Sequence, residues 1–142
     1  MKGEPEIVDL VCFLRSMGAR IEGEGSSVLV IDGVPALRPS RVPHAILPDR
    51  IEAGTYLLAG AVAGGSIRVT GIRVDDLQPI LEPLEQIGCV LVRGDGWIDL
   101  HRDRAIQPVS VETQPHPGFP TDMQAQWMAL MLKSQGTSVI SS

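Results

Sequence analysis

The chain has 142 residues, 44% of them hydrophobic, enough for one ordinary domain core and too many for a disordered segment. A net charge of −5 with no basic block argues against nucleic acid as the main partner, and low aromatic content argues against base-stacking platforms. The longest apolar run, Tyr56 to Ala63, is too short to span a bilayer, so no membrane role is expected.

Pro5 to Met17 reads as a helix, with Pro5 in its first turn, Glu4 and Glu6 at the positive end of the dipole, and Gly18 as its stop. Ile7, Leu10, Val11 and Leu14 recur at helical spacing and predict one apolar face. Ala19 to Glu22 and Val28 to Ile31 read as strands around a GEGSS turn, and Val34 to Pro43 as a proline-rich connector. His44 to Leu47 is strand-like. Asp49 to Ala63 is a helix whose body is small and apolar, with Gly54 and Gly60 inside it. Each interior glycine costs about 1 kcal/mol relative to alanine, which close approach of another backbone would justify. Ser66 to Thr70 is the next strand.

Asp75 to Ile87 reads as a helix in conflict with itself, because Pro83 should kink or unwind it. Cys89 to Val92 and Trp97 to Leu100 form a hairpin around RGDG, followed by a loop from His101 to Pro108 and a strand from Val109 to Glu112. Thr121 to Ser134 is a helix, Gly136 its stop, and Ser138 to Ile140 a last strand. Both cysteines, Cys12 and Cys89, fall in apolar elements and read as buried thiols of a cytoplasmic protein. They have no metal-ligand spacing, and no cofactor is implied. The start, MKGEPEIVD, has no signal-peptide core. His44, His101 and His116 read as surface or loop residues.

Two kinds of unit recur. VDLVCFLRSMGARIEGEGSSVLVIDG and DDLQPILEPLEQIGCVLVRGDGWIDLHR share a helix, a glycine stop and two strands. DRIEAGTYLLAGAVAGGSIRVTG and TDMQAQWMALMLKSQGTSVIS share an acid-started apolar helix, a glycine stop and a strand. Such long-period repeats bury their faces against their neighbours, and alternating strands and helices imply an α/β layer structure. The two long helices, at 50–63 and 122–134, are expected to be equivalent and buried. Because the chain starts and stops inside repeats, it reads as a segment of a longer protein.

The stretch with the most chemistry in it is QPHPGFPTDMQAQ, Gln114 to Gln126. Its prolines read as a stiff extended arm that delivers Thr121 and Asp122 to a helix start. There Asp122 is either an N-cap or a catalytic or ligand-binding carboxylate held on a rigid loop. Gln124 and Gln126 read equally as cleft residues or as helix-surface polar groups.

These motifs, GEPEIVDL at 3–10, LPDRIEAGTYLLAGAVAGG at 47–65 and TQPHPGFPTDMQAQ at 113–126, resemble the UDP-N-acetylglucosamine enolpyruvyl transferase (1-carboxyvinyltransferase) family over essentially the whole chain. The resemblance implies an incomplete set of βαβαββ units from an inside-out α/β barrel. Residues 1–47 would end one domain, and 48–142 would begin the second. It implies transfer of the enolpyruvyl group of phosphoenolpyruvate to the 3-hydroxyl of UDP-N-acetylglucosamine, the first committed step of peptidoglycan synthesis. Asp122 matches the carboxylate that contacts that hydroxyl and is proposed to remove its proton, with Thr121 beside it on the sugar nucleotide. Glu4, Glu6, Asp49 and Arg50 match family positions and read as cleft-edge or hinge charges. The family's Lys-Asn pair, loop cysteine and arginine cluster for phosphoenolpyruvate have no counterpart here, Lys2 being in the wrong context. The chain is therefore expected to need the missing parts of the fold and to be inactive alone. The alternatives are a non-catalytic sugar-nucleotide-binding or structural remnant, and a shikimate-pathway enolpyruvyl transferase.

Overall fold

The structure is a computed structural model that describes residues 3–142. Lys2 lies outside the described residues. The chain divides into two compact units, Met1–Leu47 and Pro48–Ser142.

In the first unit, α1 (Pro5–Ser16) is followed by an antiparallel pair, β1 (Arg20–Glu22) and β2 (Val30–Asp32), with Ile21 opposite Ile31. The Arg15 guanidinium grips the Glu24 carboxylate and donates to the Ile21 carbonyl, tying the helix end to the hairpin. The expected apolar face of α1 is only partly covered within this unit. Among its described residues only Val11 and Ile21 are buried hydrophobics, and Ile7, Leu10 and Phe13 are exposed. Cys12 is also exposed, against expectation, because it lies one residue past the covered stripe. His44 lies in a loop, as expected, and is half-buried. Its Nε2 lies 3.1 Å from Asp9 Oδ1, and its ring is tilted against Phe13 with centroids 5.0 Å apart. Residues 44–47 form no strand; Ile46 is 83% exposed and has no β partner.

The second unit holds the main core. It comprises α2 (Arg50–Ala63), β3 (Gly65–Thr70), a 3₁₀ turn (Val74–Leu77), α3 (Gln78–Gln86), β4 (Val90–Gly94), β5 (Trp97–Arg102), β6 (Val111–Glu112), a 3₁₀ turn (Thr121–Met123), α4 (Gln124–Met131) and β7 (Ile140–Ser141). The strands β3, β5 and β4 form an antiparallel sheet in that order, and β6 pairs with β7 in parallel. On the outer face of the three-stranded sheet, Arg68 makes a bidentate pair with Asp99 and lies 4.3 Å over the Trp97 ring. The guanidinium holds the Asp99 carboxyl below its ordinary range. On the inner face, Ile98 and Leu100 meet Leu57, Leu58, Ala61, Ile80, Leu81, Leu84 and Trp127 in one core.

The proline conflict resolves by division of the helix. Residues 74–77 take the tighter 3₁₀ turn, and Pro79 then falls in the first turn of α3, where its missing N–H costs nothing. Pro83 stays inside α3 without breaking it. Ile80, Leu81, Leu84 and Ile87 are fully buried around it. At about 1.5–3 kcal/mol per buried side chain, they outweigh the roughly 3 kcal/mol cost of an interior proline. The strand β5 runs on through His101 and Arg102, which local sequence marks as loop. Six residues of β3 pair with it, and Ser66 Oγ lies 2.8 Å from His101 Nδ1.

The repeats are visible in hydrogen bonds. After α1, Gly18 N–H bonds to the Arg15 carbonyl and Ala19 N–H to Leu14; after α3, Gly88 N–H bonds to Glu85 and Cys89 N–H to Leu84. Both are the Schellman closure of a helix end. A later strand lead then ties back at each site, Arg38 to Met17 and Gln107 to Ile87. The helices α2 and α4, the latter only eight residues and so shorter than the helix expected over 121–134, both enter the core, through Ala53, Gly54, Leu57, Leu58 and Ala61 on one and Trp127, Leu130 and Met131 on the other. They also pack on each other. What approaches the interior glycines of α2 is side chain rather than backbone. A Cβ at Gly54 would stand 2.8 Å from Ile80 Cδ1 and 3.1 Å from Met123 Cε, and one at Gly60 would stand 2.5 Å from Ile67 Cγ2. The C-terminal carbonyls of α2 receive Arg102, on Ala61, and Lys133 Nζ, 3.2 Å from Val62, two cations at the negative end of the dipole.

Cys89 is buried, and burial pushes its thiol up to about 11. At pH 8 only about a thousandth of it is thiolate. The native chain is therefore expected to react with an aromatic disulfide reagent at Cys12 alone, with Cys89 modified only after denaturant is added. Two thiols titrating at similar rates in native buffer would contradict this placement.

Candidate active site

The approach to Asp122 is not an extended arm. The peptide between His116 and Pro117 is cis, and Gly118 N–H bonds to the Pro115 carbonyl, which makes Pro115 to Gly118 a tight turn with the cis proline in its third position. Gln114 N–H bonds to the Phe119 carbonyl at 2.9 Å, and Thr113 bridges Phe119, so the loop closes on itself. A side chain at 118 would put its Cβ 2.5 Å from the Gln114 Cβ, so this turn needs glycine there. Thr113, Phe119 and Pro120 are buried. Phe119 meets Trp127 edge to face with centroids 5.6 Å apart. In place of a stiff extended arm there is a closed loop anchored in the core through Phe119.

Beyond Pro120 the chain takes one 3₁₀ turn. Met123 points inward and is fully buried, while Thr121 and Asp122 are exposed on the outer side. Asp122 is not an N-cap: neither the 3₁₀ turn nor α4 has a side-chain cap. Its carboxylate makes no hydrogen bond or ion pair among the described residues. It stands in the first turn, where the helix dipole favours an anion.

Asp49 does cap its helix. Its Oδ1 accepts from Ile51 N–H at 2.8 Å and Glu52 N–H at 3.2 Å. Arg50, the first residue of α2, is buried with 8% exposure. The contacts between α2 and α4 keep a constant offset: Thr55 with Gln126 and Val62 with Lys133 are each 71 residues apart. The helices therefore run parallel, and their N-terminal ends, with Asp49 and Arg50 on one and Thr121 and Asp122 on the other, lie at the same end of the pair. Glu4 and Glu6 belong to the first unit, Glu4 at the N-cap position of α1 without a side-chain cap and Glu6 in its first turn. Thr55 is the residue that sequence reasoning passed over. It is the polar group inside the apolar body of α2, and Gln126 is its partner. No cluster of three or more His, Cys, Asp or Glu among the described residues could hold a metal ion.

The starts of the two parallel helices thus lie side by side, and one of them bears a carboxylate with no partner among the described residues. The solved enolpyruvyl transferase NikO from Streptomyces tendae superposes on 99% of the chain with a TM-score of 0.72 at 28% identity, and the chain covers 34% of it. EPSP synthase from Acinetobacter baumannii shares the fold more loosely, with a TM-score of 0.50 at 19% identity over 89% of the chain and 30% of that structure. The family model described as EPSP synthase (3-phosphoshikimate 1-carboxyvinyltransferase) matches residues 1–142, and the chain belongs to that family. Within it, the chain is 52% identical over 138 residues to the UDP-N-acetylglucosamine 1-carboxyvinyltransferase of Azorhizobium caulinodans, and 49% identical over 138 residues to that of Myxococcus xanthus. These alignments cover 96% and 97% of the chain, which spans about a third of each relative, 32%.

Proposed function

We propose that the chain is part of an enzyme that transfers the enolpyruvyl group of phosphoenolpyruvate to the 3-hydroxyl of UDP-N-acetylglucosamine and releases phosphate, the first committed step of peptidoglycan synthesis in the cytoplasm. The observation that carries this is Asp122: exposed, without a capping role, and held by a loop whose end is buried through Phe119. Its carboxylate takes the proton of the 3-hydroxyl as the oxygen bonds to phosphoenolpyruvate, and Thr121 lies beside it on the sugar nucleotide. The relatives named above, near 50% identity, support the choice of acceptor. Residues 1–47 end one domain of that enzyme and 48–142 begin the other. Glu4, Glu6, Asp49 and Arg50 are charges of the cleft edge or hinge, and Asp49 is also a helix cap. The groups that hold phosphoenolpyruvate lie in the two thirds of the relatives that the chain does not span.

The test is a chimera in which this chain replaces the corresponding third of the Azorhizobium caulinodans relative. Phosphate release is expected with phosphoenolpyruvate plus UDP-N-acetylglucosamine, and none with shikimate 3-phosphate as acceptor. The 142-residue chain alone is expected to release none with either. Turnover on shikimate 3-phosphate would favour the shikimate enzyme. An inactive chimera that still binds the sugar nucleotide would favour a non-catalytic module. Two-substrate turnover by the pure isolated chain would overturn the division of the site.

A further inference from the structure

We propose that Thr55 and Gln126 are positioning residues, a polar lock that fixes the helix start bearing Asp122 against α2. The catalytic half of this rests on the reading of Asp122 given above. Gln126 stands one helical turn after Asp122, and its Nε2 donates to Thr55 Oγ1 at 3.1 Å. Thr55 Oγ1 in turn donates to the Ile51 carbonyl at 2.7 Å. Because the hydroxyl proton is committed to Ile51, only the lone pairs of Oγ1 face Gln126. The amide must therefore present its nitrogen, and its orientation is set by the network. Met123, the residue after Asp122, plugs into the notch at Gly54, next to Thr55. The turn carrying Asp122 is thus held to α2 by a packing contact on one side and by a hydrogen-bond chain on the other.

Gln126 Oε1 is buried and has no hydrogen-bond partner among the described residues. An orphaned buried acceptor costs as much as the amide's own bond returns, and a leucine of similar volume would fill the same space without it. A directional contact kept at that cost fits a helix start that must be held in register. Misplacing a catalytic group by about 1 Å costs on the order of a hundredfold in rate.

Three substitutions test it. Thr55→Val removes the hydroxyl at nearly constant shape, Thr55→Ser keeps it, and Gln126→Leu removes the amide. In the 142-residue chain, hydrogen exchange at the Met123 and Gln124 amides is expected to be about tenfold faster in Thr55→Val and Gln126→Leu, and unchanged in Thr55→Ser. The Gln126→Leu melting temperature should stay at or above the parent's. In the chimera, Thr55→Val and Gln126→Leu should each lower kcat at least about tenfold and move KM for UDP-N-acetylglucosamine less, with Thr55→Ser restoring kcat. Unchanged exchange in Thr55→Val overturns the lock. Faster exchange with parental kcat overturns its link to Asp122. A parent chimera without turnover overturns the functional reading and with it that link, while exchange in the isolated chain still decides the lock by itself.

Discussion

Asp122→Asn in the completed enzyme is expected to lower kcat at least about a hundredfold while the melting temperature stays in place. A sugar hydroxyl is a poor nucleophile until its proton leaves as the new bond forms. A positioned carboxylate that accepts the proton contributes about 10²–10⁴-fold, and asparagine, equal in shape, cannot accept it. The structure makes this substitution a clean one. Asp122 is exposed, caps neither helical segment, and has no ion-pair partner among the described residues. Its loss therefore leaves no buried group unpaired, and exposed changes of this kind usually stay within about 0.5 kcal/mol. Steady-state kinetics beside a thermal melt decide the matter. A near-parental kcat would reduce Asp122 to a surface acid in the first turn of a helix, and a loss of activity matched by unfolding would remove the argument for proton transfer.

Trp127→Ala is expected to destabilise the second unit by about 3–5 kcal/mol, a large share of the roughly 5–15 kcal/mol that holds an ordinary domain. Trp127 is fully buried, and three elements meet on it. Phe119, at the end of the loop leading to Asp122, contacts its ring edge to face; the Val109 carbonyl, ahead of β6, accepts from its indole N–H at 3.3 Å; and α4 carries it into the core. The alanine leaves a cavity and an unpartnered carbonyl, and it takes away the surface on which the Pro115 to Gly118 turn is anchored. Trp127→Phe keeps a ring for Phe119 and loses the hydrogen bond, so its cost should be nearer 1 kcal/mol in that term. Urea denaturation of the two variants measures both. A Trp127→Ala cost under about 1 kcal/mol would show that the loop is not anchored there.

The repeated order of helix, glycine stop and strand was legible in the sequence because the signals are local. Acids and prolines open helices, glycines at Gly18 and Gly88 close them in the same hydrogen-bonded turn, and apolar spacing marks the faces of α2 and α4. Asp122 was legible for the same reason, as a carboxylate that follows a run of prolines at a helix start. What depended on partners distant in the chain was not. The approach to Asp122 has the composition of an extended arm. It becomes a closed turn because Gln114 bonds Phe119 and Phe119 is buried on Trp127. His101 and Arg102 have loop composition and join β5 because β3 is long enough to pair with them. Residues 44–47 have strand composition and no ladder to join. Cys12 sits in an apolar helix and is exposed, because which side of α1 is covered depends on its neighbours rather than on its own periodicity. The tolerance of Pro83 was decided by four buried side chains around it, and the glycines of α2 by Ile80, Met123 and Ile67. The sequence by itself determined most of the elements, their repeat and the acid at the helix start, since each depends on residues within a turn or two of one another. Only the tertiary structure decided that α2 and α4 lie parallel with their starts together, and that Thr55 faces Gln126, because a contact 71 residues apart leaves no local trace in the chain.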